Sequence, residues 1–141
     1  MTTNTTNNMG ERKTPPNLLR VIDANLNRLR EGLRVVEDIQ RYFFNNKQIS
    51  IKLKTLRHQA RIENEKNLLQ YRDIKNDVLK ETTKSESTRE NISSLLISNI
   101  KRAQESARVL EESFKLIDSK ISNKFKQIRY ELYQIEKDIF S

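Results

Sequence analysis

No cysteine occurs anywhere in the chain, so neither a disulfide nor a thiolate metal site can hold it together, and redox compartment cannot be read from it. Glycine and proline number two each, which leaves few places to turn tightly and few breaks in a helical pattern. Those glycines, Gly10 and Gly32, cannot form a Gly-rich phosphate loop. Histidine occurs once, at position 58, which excludes metal-spaced histidine sets. His58 stands where a second copy of its segment has Tyr130, and it reads as a packed or half-exposed ring rather than a base. No apolar run approaches the ~18 residues of a membrane span, and no signal-peptide pattern is present, so a cytoplasmic protein without a membrane partner is expected.

What remains is rich in Leu, Ile, Lys, Glu, Asn and Gln, an all-α composition, in a length of 141 residues that suits one core. The net charge of +8 invites an anionic partner, but it is unevenly placed. Residues 17–46 carry five Arg against four acids, whereas 47–70 carry six Lys or Arg against two. A Lys-rich solvated face explains that excess. Nucleic-acid binding would follow the lysine-rich segments and is not expected.

Residues 1–16 are polar and of low complexity until Pro15 and Pro16, and are expected as a disordered leader; 17–141 form a single helical domain. Ile22, Leu26, Leu29, Leu33, Val36 and Phe43 recur at spacings of three, four and seven, one stripe of a long helix that stops near "FFNNKQ". A second helix is expected from Ser50 to Gln70 on Ile51, Leu53, Leu56, Ala60, Ile62 and Leu69, antiparallel to the first. Residues 71–91 lose the periodicity and read as a long loop, after which helices are expected over Arg89 to Ile117 and Ser119 to Phe140. Tyr42, Phe43, Phe44, Phe114, Phe125 and Tyr133 read as core or hairpin-end packing.

The chain repeats itself. "NLNRLREGLRVVED" (25–38) returns as "NIKRAQESARVLEE" (99–112) at a shift of 74, pairing Asn25 with Asn99, Arg28 with Arg102, Glu31 with Glu105, Arg34 with Arg108 and Glu37 with Glu111. "ISIKLKTLRHQ" (49–59) returns as "ISNKFKQIRYE" (121–131) at a shift of 72, pairing Arg57 with Arg129. The repeating unit is a helical hairpin, 17–70 and again 92–141, and two copies predict a four-helix bundle with a pseudo-twofold relation in which equivalent faces of the first and third helices meet.

Packing would repeat leucines, yet most of the repeated identities are polar. Steps of three along a helix turn about 60° backwards, so Asn25, Arg28, Glu31 and Arg34 wind around its edge beside the apolar seam. Any one of these charges is explained by an intrahelical ion pair worth a few tenths of a kcal/mol. A set held at the same offsets in two copies also fits arginine's use as a two-pronged ligand for carboxylate or phosphate, although shared descent of the copies accounts for part of it. The loop acids Asp73 and Asp77, with Arg72 and Arg89, are either a solvated loop or a lid carrying a Mg²⁺ ligand and phosphate clamps.

"VIDANLNRLREGLRVVED", "YRD" followed by "NDV", "NIKRAQESARVLEE" and "FKQIRYELYQIE" resemble the small all-helical hydroxymethylpyrimidine phosphate kinase family of thiamine biosynthesis. In cyanobacteria that domain is fused ahead of thiamine-phosphate synthase, and elsewhere it stands alone. The resemblance covers about residues 18–140 and implies ATP-dependent, Mg²⁺-assisted phosphorylation of 4-amino-5-hydroxymethyl-2-methylpyrimidine phosphate to the diphosphate. On that resemblance Asn25, Arg28, Arg34, Arg72, Arg89, Asn99, Arg102 and Arg108 would hold substrate and phosphates, and Asp73 and Asp77 the metal. Glu31 or Glu105 would accept the substrate hydroxyl proton. The chain departs from the family in Leu79, where a glycine is expected after Asp77 and Val78, and in Ser106 and Ala107. The rival implication is a non-catalytic helical domain that docks on thiamine-phosphate synthase or self-associates as a homodimer.

Overall fold

The computed structural model of the protein describes residues 14–83 and 86–141, so most of the expected leader, residues 1–13, lies outside the described residues. Those described are all-helical, with no strand among them. Helix α1 is Pro16–Asp38. It begins where the sequence allows it to, with proline in the first turn and the Leu18 and Leu19 amides donating to the Pro15 carbonyl (3.0 and 3.3 Å). Ile22, Leu26, Leu29, Leu33 and Val36 are buried as the stripe predicts, but Phe43 is exposed. Past Asp38 the helix loosens into one π-turn, Ile39–Phe43, and the Phe44 amide reaches back to the Ile39 carbonyl (3.1 Å). Asn45 then takes a left-handed φ of 55°, and Asn46 caps the next helix by accepting from the Ile49 amide (3.1 Å).

Helix α2 is Lys47–Gln59, eleven residues short of the expected end at Gln70. Its termination is tertiary. Arg30 of α1 donates to the Ala60 carbonyl (2.8 Å) and clasps the Glu65 carboxylate, which holds the chain in a bend with Asn64 at φ 58°. A short 3-10 segment, Glu65–Tyr71, carries Leu68 back into the core, whereas Ile51 and Leu69 of the expected stripe face solvent. Helix α3 is Ile92–Phe114, opened by a capping box between Asn91 and Ser94, and so starts three residues after Arg89 and stops three before Ile117. Helix α4, Ser119–Phe140, agrees with its expected span and is capped by Asp118. No helix among the described residues is long and apolar enough to cross a membrane.

Extensive contacts join α2 to α1, α1 to α3 and α3 to α4, which places α1 and α3, the two motif helices, against each other in the middle. Phe114 and Phe125 stack in the core (centroids 5.8 Å), while Tyr42, Phe43, Phe44 and Tyr133 are exposed, against the expectation of core or hairpin-end packing, and His58 lies on the exposed side of its two expected settings. In each hairpin a buried ion pair ties the motif helix to its partner. Arg57 donates to both oxygens of Glu37 (2.6 and 3.2 Å), and Arg129 donates twice to one oxygen of Glu111 (3.1 and 2.9 Å). These four residues are the paired identities Glu37/Glu111 and Arg57/Arg129 of the repeat. Part of the repeated charge is therefore structural.

Gly32 lies at the closest approach of the central helices: a Cβ there would sit 3.1 Å from the Asn99 carbonyl oxygen and 3.4 Å from the Ala103 Cβ. Backbone cannot move aside as a side chain can. Gly32→Val, whose branches extend beyond that contact, is expected to lower stability by about 1–3 kcal/mol despite leaving glycine out of a helix interior. Chemical denaturation reads this directly, and an unchanged midpoint would show that α1 and α3 separate freely.

Candidate functional site

Where α1 crosses α3, the two copies of the motif face one another across a cleft of about 370 Å³. Asn25, Arg28, Glu31 and Gly32 line it from α1, Asn99, Arg102, Glu105, Ser106 and Val109 from α3, and Glu86 from the long loop. The equivalent members of the repeat thus meet. Leu29, Leu33, Ala103 and Ala107, one position along each helix, are buried and fix the rotation that turns the polar set toward the cleft. The asparagine amides are set alike, Asn25 Nδ2 donating to the Val21 carbonyl (2.9 Å) and Asn99 Nδ2 to the Leu95 carbonyl (2.8 Å). A carbonyl can accept only from the NH₂ side, so each amide's orientation is dictated and its oxygen is free of that bond. No side-chain hydrogen bond or ion pair joins Arg28, Glu31, Arg102 or Glu105 to another described residue, although all four are charged and exposed within the cleft.

The outer members of the motif do not line it. Arg34 pairs with Asp38 (3.5 Å) and Arg108 with Glu112 (3.4 Å) on the outer surface, both arginine side chains more than half exposed, and Arg108 also lies 3.9 Å from the buried Glu111. From Arg28 to Arg34 is six residues, a rotation of about 120° away from the cleft. Glu86 brings an extra negative charge beside Arg102, and bonds from the Thr83 amide and hydroxyl, with Arg102 and Arg89 adding to them, hold its carboxyl below the usual range.

A second hollow of about 630 Å³ adjoins the first and shares Asn25 and Arg28 with it. Arg20, Asp23, Arg72, Asp73 and Asp77 line it too. Here the loop is tied down on α1: Arg72 donates to both oxygens of the buried Asp23 (2.8 Å each), and Arg20 donates to the Asp73 carbonyl (2.7 Å). The Asp73 carboxylate accepts from the amide and side chain of Asn76, bonds that depress its pKa, and Asp77 accepts from the Leu79 amide (3.0 Å). Arg89 lines neither hollow; it donates to the carbonyls of Glu86 and Thr88 (3.3 and 3.0 Å). A larger and more apolar hollow of about 980 Å³, beside Ile62, Leu68 and Phe114, contains none of the repeated polar residues.

No group of three or more His, Asp or Glu gathers for a metal among the described residues. Two carboxylates are nonetheless what Mg²⁺ commonly takes from protein when it arrives on phosphates, and Asp73 and Asp77 are two carboxylates of one hollow. These two residues therefore fit a Mg²⁺ that arrives on phosphates.

Sequence reasoning missed Arg20, Asp23 and Glu86. Arg20 and Asp23 lie one turn before the motif, at helical spacing from Asn27 and Arg28, which was a readable signal. Glu86 has no periodic setting, so none was available for it.

Fold and site define a small helical bundle built around a charged, ligand-sized cleft between two copies of one motif. The family model described as the ThiD2 family matches residues 20–138, and the chain belongs to that family, the helical family of thiamine biosynthesis that its motifs resemble. Among relatives, the thiamine-phosphate synthase of Synechocystis sp. is 37% identical over 130 residues, 92% of this chain and 38% of the relative. That of Nostoc punctiforme is 39% identical over 121 residues (85% and 34%), and that of Rhodopirellula baltica 35% over 127 (86% and 34%). The chain thus spans only about a third of their length. No solved structure matches it.

Proposed function

We propose that the protein phosphorylates 4-amino-5-hydroxymethyl-2-methylpyrimidine phosphate with Mg-ATP, forming the pyrimidine diphosphate for thiamine biosynthesis. The observation that carries this reading is the convergence of two Asn-Arg-Glu sets, with arginines and glutamates uncommitted to the fold, on one cleft of substrate size. The relatives named thiamine-phosphate synthase support the pathway. Their own activity belongs to whole proteins three times as long.

Phosphoryl transfer asks a protein for positioning and charge neutralisation more than for covalent chemistry. In this reaction an oxygen of the substrate's phosphate bonds to the γ-phosphorus of ATP, the bond from that phosphorus to the β,γ-bridging oxygen breaks, and ADP leaves. The attacking oxygen is already ionised near neutral pH, since a phosphomonoester's second pKa is about 6. No hydroxyl proton has to be removed. That frees Glu31 and Glu105 from the role of base and fits them to accept hydrogen bonds from the exocyclic amine, while the amides of Asn25 and Asn99 meet the ring nitrogens. Arg28 and Arg102 hold the phosphate being extended, as two-pronged donors do best. Asp73 and Asp77 would hold Mg²⁺, which supplies charge neutralisation on the ATP phosphates when bound.

Purified protein given Mg-ATP and the pyrimidine monophosphate is expected to produce ADP and the pyrimidine diphosphate; folded protein without turnover overturns the proposal. Glu31→Gln and Glu105→Gln should raise KM for the pyrimidine roughly tenfold or more, leaving kcat and its pH profile in place. A kcat deficit that high pH repairs would instead restore the role of base. The relatives' joining of the matching region to a synthase favours a second reading, a domain that docks on thiamine-phosphate synthase without catalysis. Under it, synthase binds the chain, and neither substrate raises its melting temperature.

A further inference from the structure

Two adjoining hollows share one wall, and the shared wall is Asn25 and Arg28. We infer that the phosphates of the nucleotide occupy the loop-side hollow, the pyrimidine phosphate occupies the cleft between α1 and α3, and Arg28 stands where the phosphoryl group passes between them. This rests on the kinase reading and adds to it the separate place of the co-substrate.

Size gives the first argument. The cleft of about 370 Å³ lies near the lower end of small-ligand sites, about 300–1,000 Å³, and suits one pyrimidine ring with its phosphate; the hollow of about 630 Å³ suits the larger partner. Asymmetry gives the second. The cleft is built from equivalent residues, so it offers no reason of its own for a donor to enter from one side. The surroundings do: at the shift of 74, Arg20 corresponds to Ser94 and Asp23 to Ile97, so only α1 carries the charged groups that anchor the loop. On the α3 side the loop instead supplies Glu86, whose negative charge faces Arg102 and repels a triphosphate.

Preorganisation gives the third. Arg72 is fixed by Asp23 yet still 44% exposed, and Arg20 is fixed on the Asp73 carbonyl, so both guanidiniums are held in place with donors left over. Once Arg72 is set against Asp23, the charges left in the loop-side hollow are two arginines, Arg20 and Arg28, and two carboxylates, Asp73 and Asp77. Cations for phosphate oxygens beside carboxylates for the accompanying Mg²⁺ are the two complements a metal-bound polyphosphate needs.

Ala24 is exposed and lines only the loop-side hollow, whereas Val109 is exposed and lines only the cleft. Titration calorimetry with Mg²⁺ and a non-hydrolysable ATP analogue, and separately with the pyrimidine monophosphate, tests the assignment on folded variants. Ala24→Trp is expected to weaken nucleotide binding at least tenfold and leave pyrimidine binding within twofold; Val109→Trp is expected to do the reverse. Val21→Glu, which adds a negative charge instead of bulk to the same hollow, should reproduce the nucleotide effect if Ala24→Trp fails to fold. Turnover by native protein with an ATP KM unmoved by Ala24→Trp and Val21→Glu overturns this placement and leaves the kinase reading standing. Native protein that binds no nucleotide overturns both.

Discussion

Arg57→Met is expected to unfold with about 3–5 kcal/mol less stability than the native chain, a large part of the ~5–15 kcal/mol that holds a domain together. The loss does not come from the arginine's own packing, which methionine largely replaces. It comes from Glu37, whose side chain is 2% exposed and would be left charged, buried and without its partner. The same logic makes the double variant Glu37→Leu with Arg57→Met far milder than the single one, because removing both charges also removes the desolvation penalty. Urea unfolding of the four corners of this cycle decides the matter: a single-variant loss under about 1 kcal/mol would mean that water reaches the pair and that its burial is not the source of its effect.

Arg129 and Glu111 repeat this arrangement in the second hairpin, and they sort the duplicated charge into two kinds. Glu37, Arg57, Glu111 and Arg129 face inward between the helices of each hairpin, where a charge is tolerated only with its partner. Arg28, Glu31, Arg102 and Glu105 face the cleft and make no side-chain hydrogen bond or close ion pair with a described residue. A bundle that only needed to fold could have kept the first kind alone.

The sequence made some of this readable and left the rest obscure, for physical reasons. Helix α1 was legible because its apolar stripe is unbroken from Ile22 to Val36 and Pro15 and Pro16 mark its start, and α4 because its first half repeats the segment of α2. The end of α2 was not, because "RIENEKN" has good helix propensity and the break depends on Arg30, some thirty residues away, taking the Ala60 carbonyl. The buried ion pairs were visible as repeated identities, but a repeat records which residues recur and not what they face. Arg34 and Arg108 show the same limit from the other side: they recur at matching offsets, yet they lie on the outer surface beside Asp38 and Glu112. Distinguishing them from Arg28 and Arg102 required only the helical rotation, applied with the buried leucines as the reference direction.

That distinction yields the largest effect expected on activity. Under the proposed phosphoryl transfer, Arg28→Ala and Arg102→Ala should each lower kcat/KM by about 10²–10³-fold, or about 2.7–4 kcal/mol, the usual consequence of removing one donor aimed at developing charge. Arg34→Ala and Arg108→Ala should stay within about threefold and unfold near the native midpoint, because Arg34–Asp38 and Arg108–Glu112 are exposed pairs and the buried Glu111, 3.9 Å from Arg108, keeps its closer partner Arg129. The two cleft arginines should also differ from each other. Arg28 borders both hollows, so its loss is expected to raise KM for ATP and for the pyrimidine alike; Arg102 borders only the cleft, and its loss should leave the ATP KM near native. Lysine at either position keeps the charge but not the planar fork, so it should recover little. Equal losses at all four arginines would tie activity to overall charge and remove the cleft's claim to be the site, because the surface pairs share the cleft's charge and not its geometry.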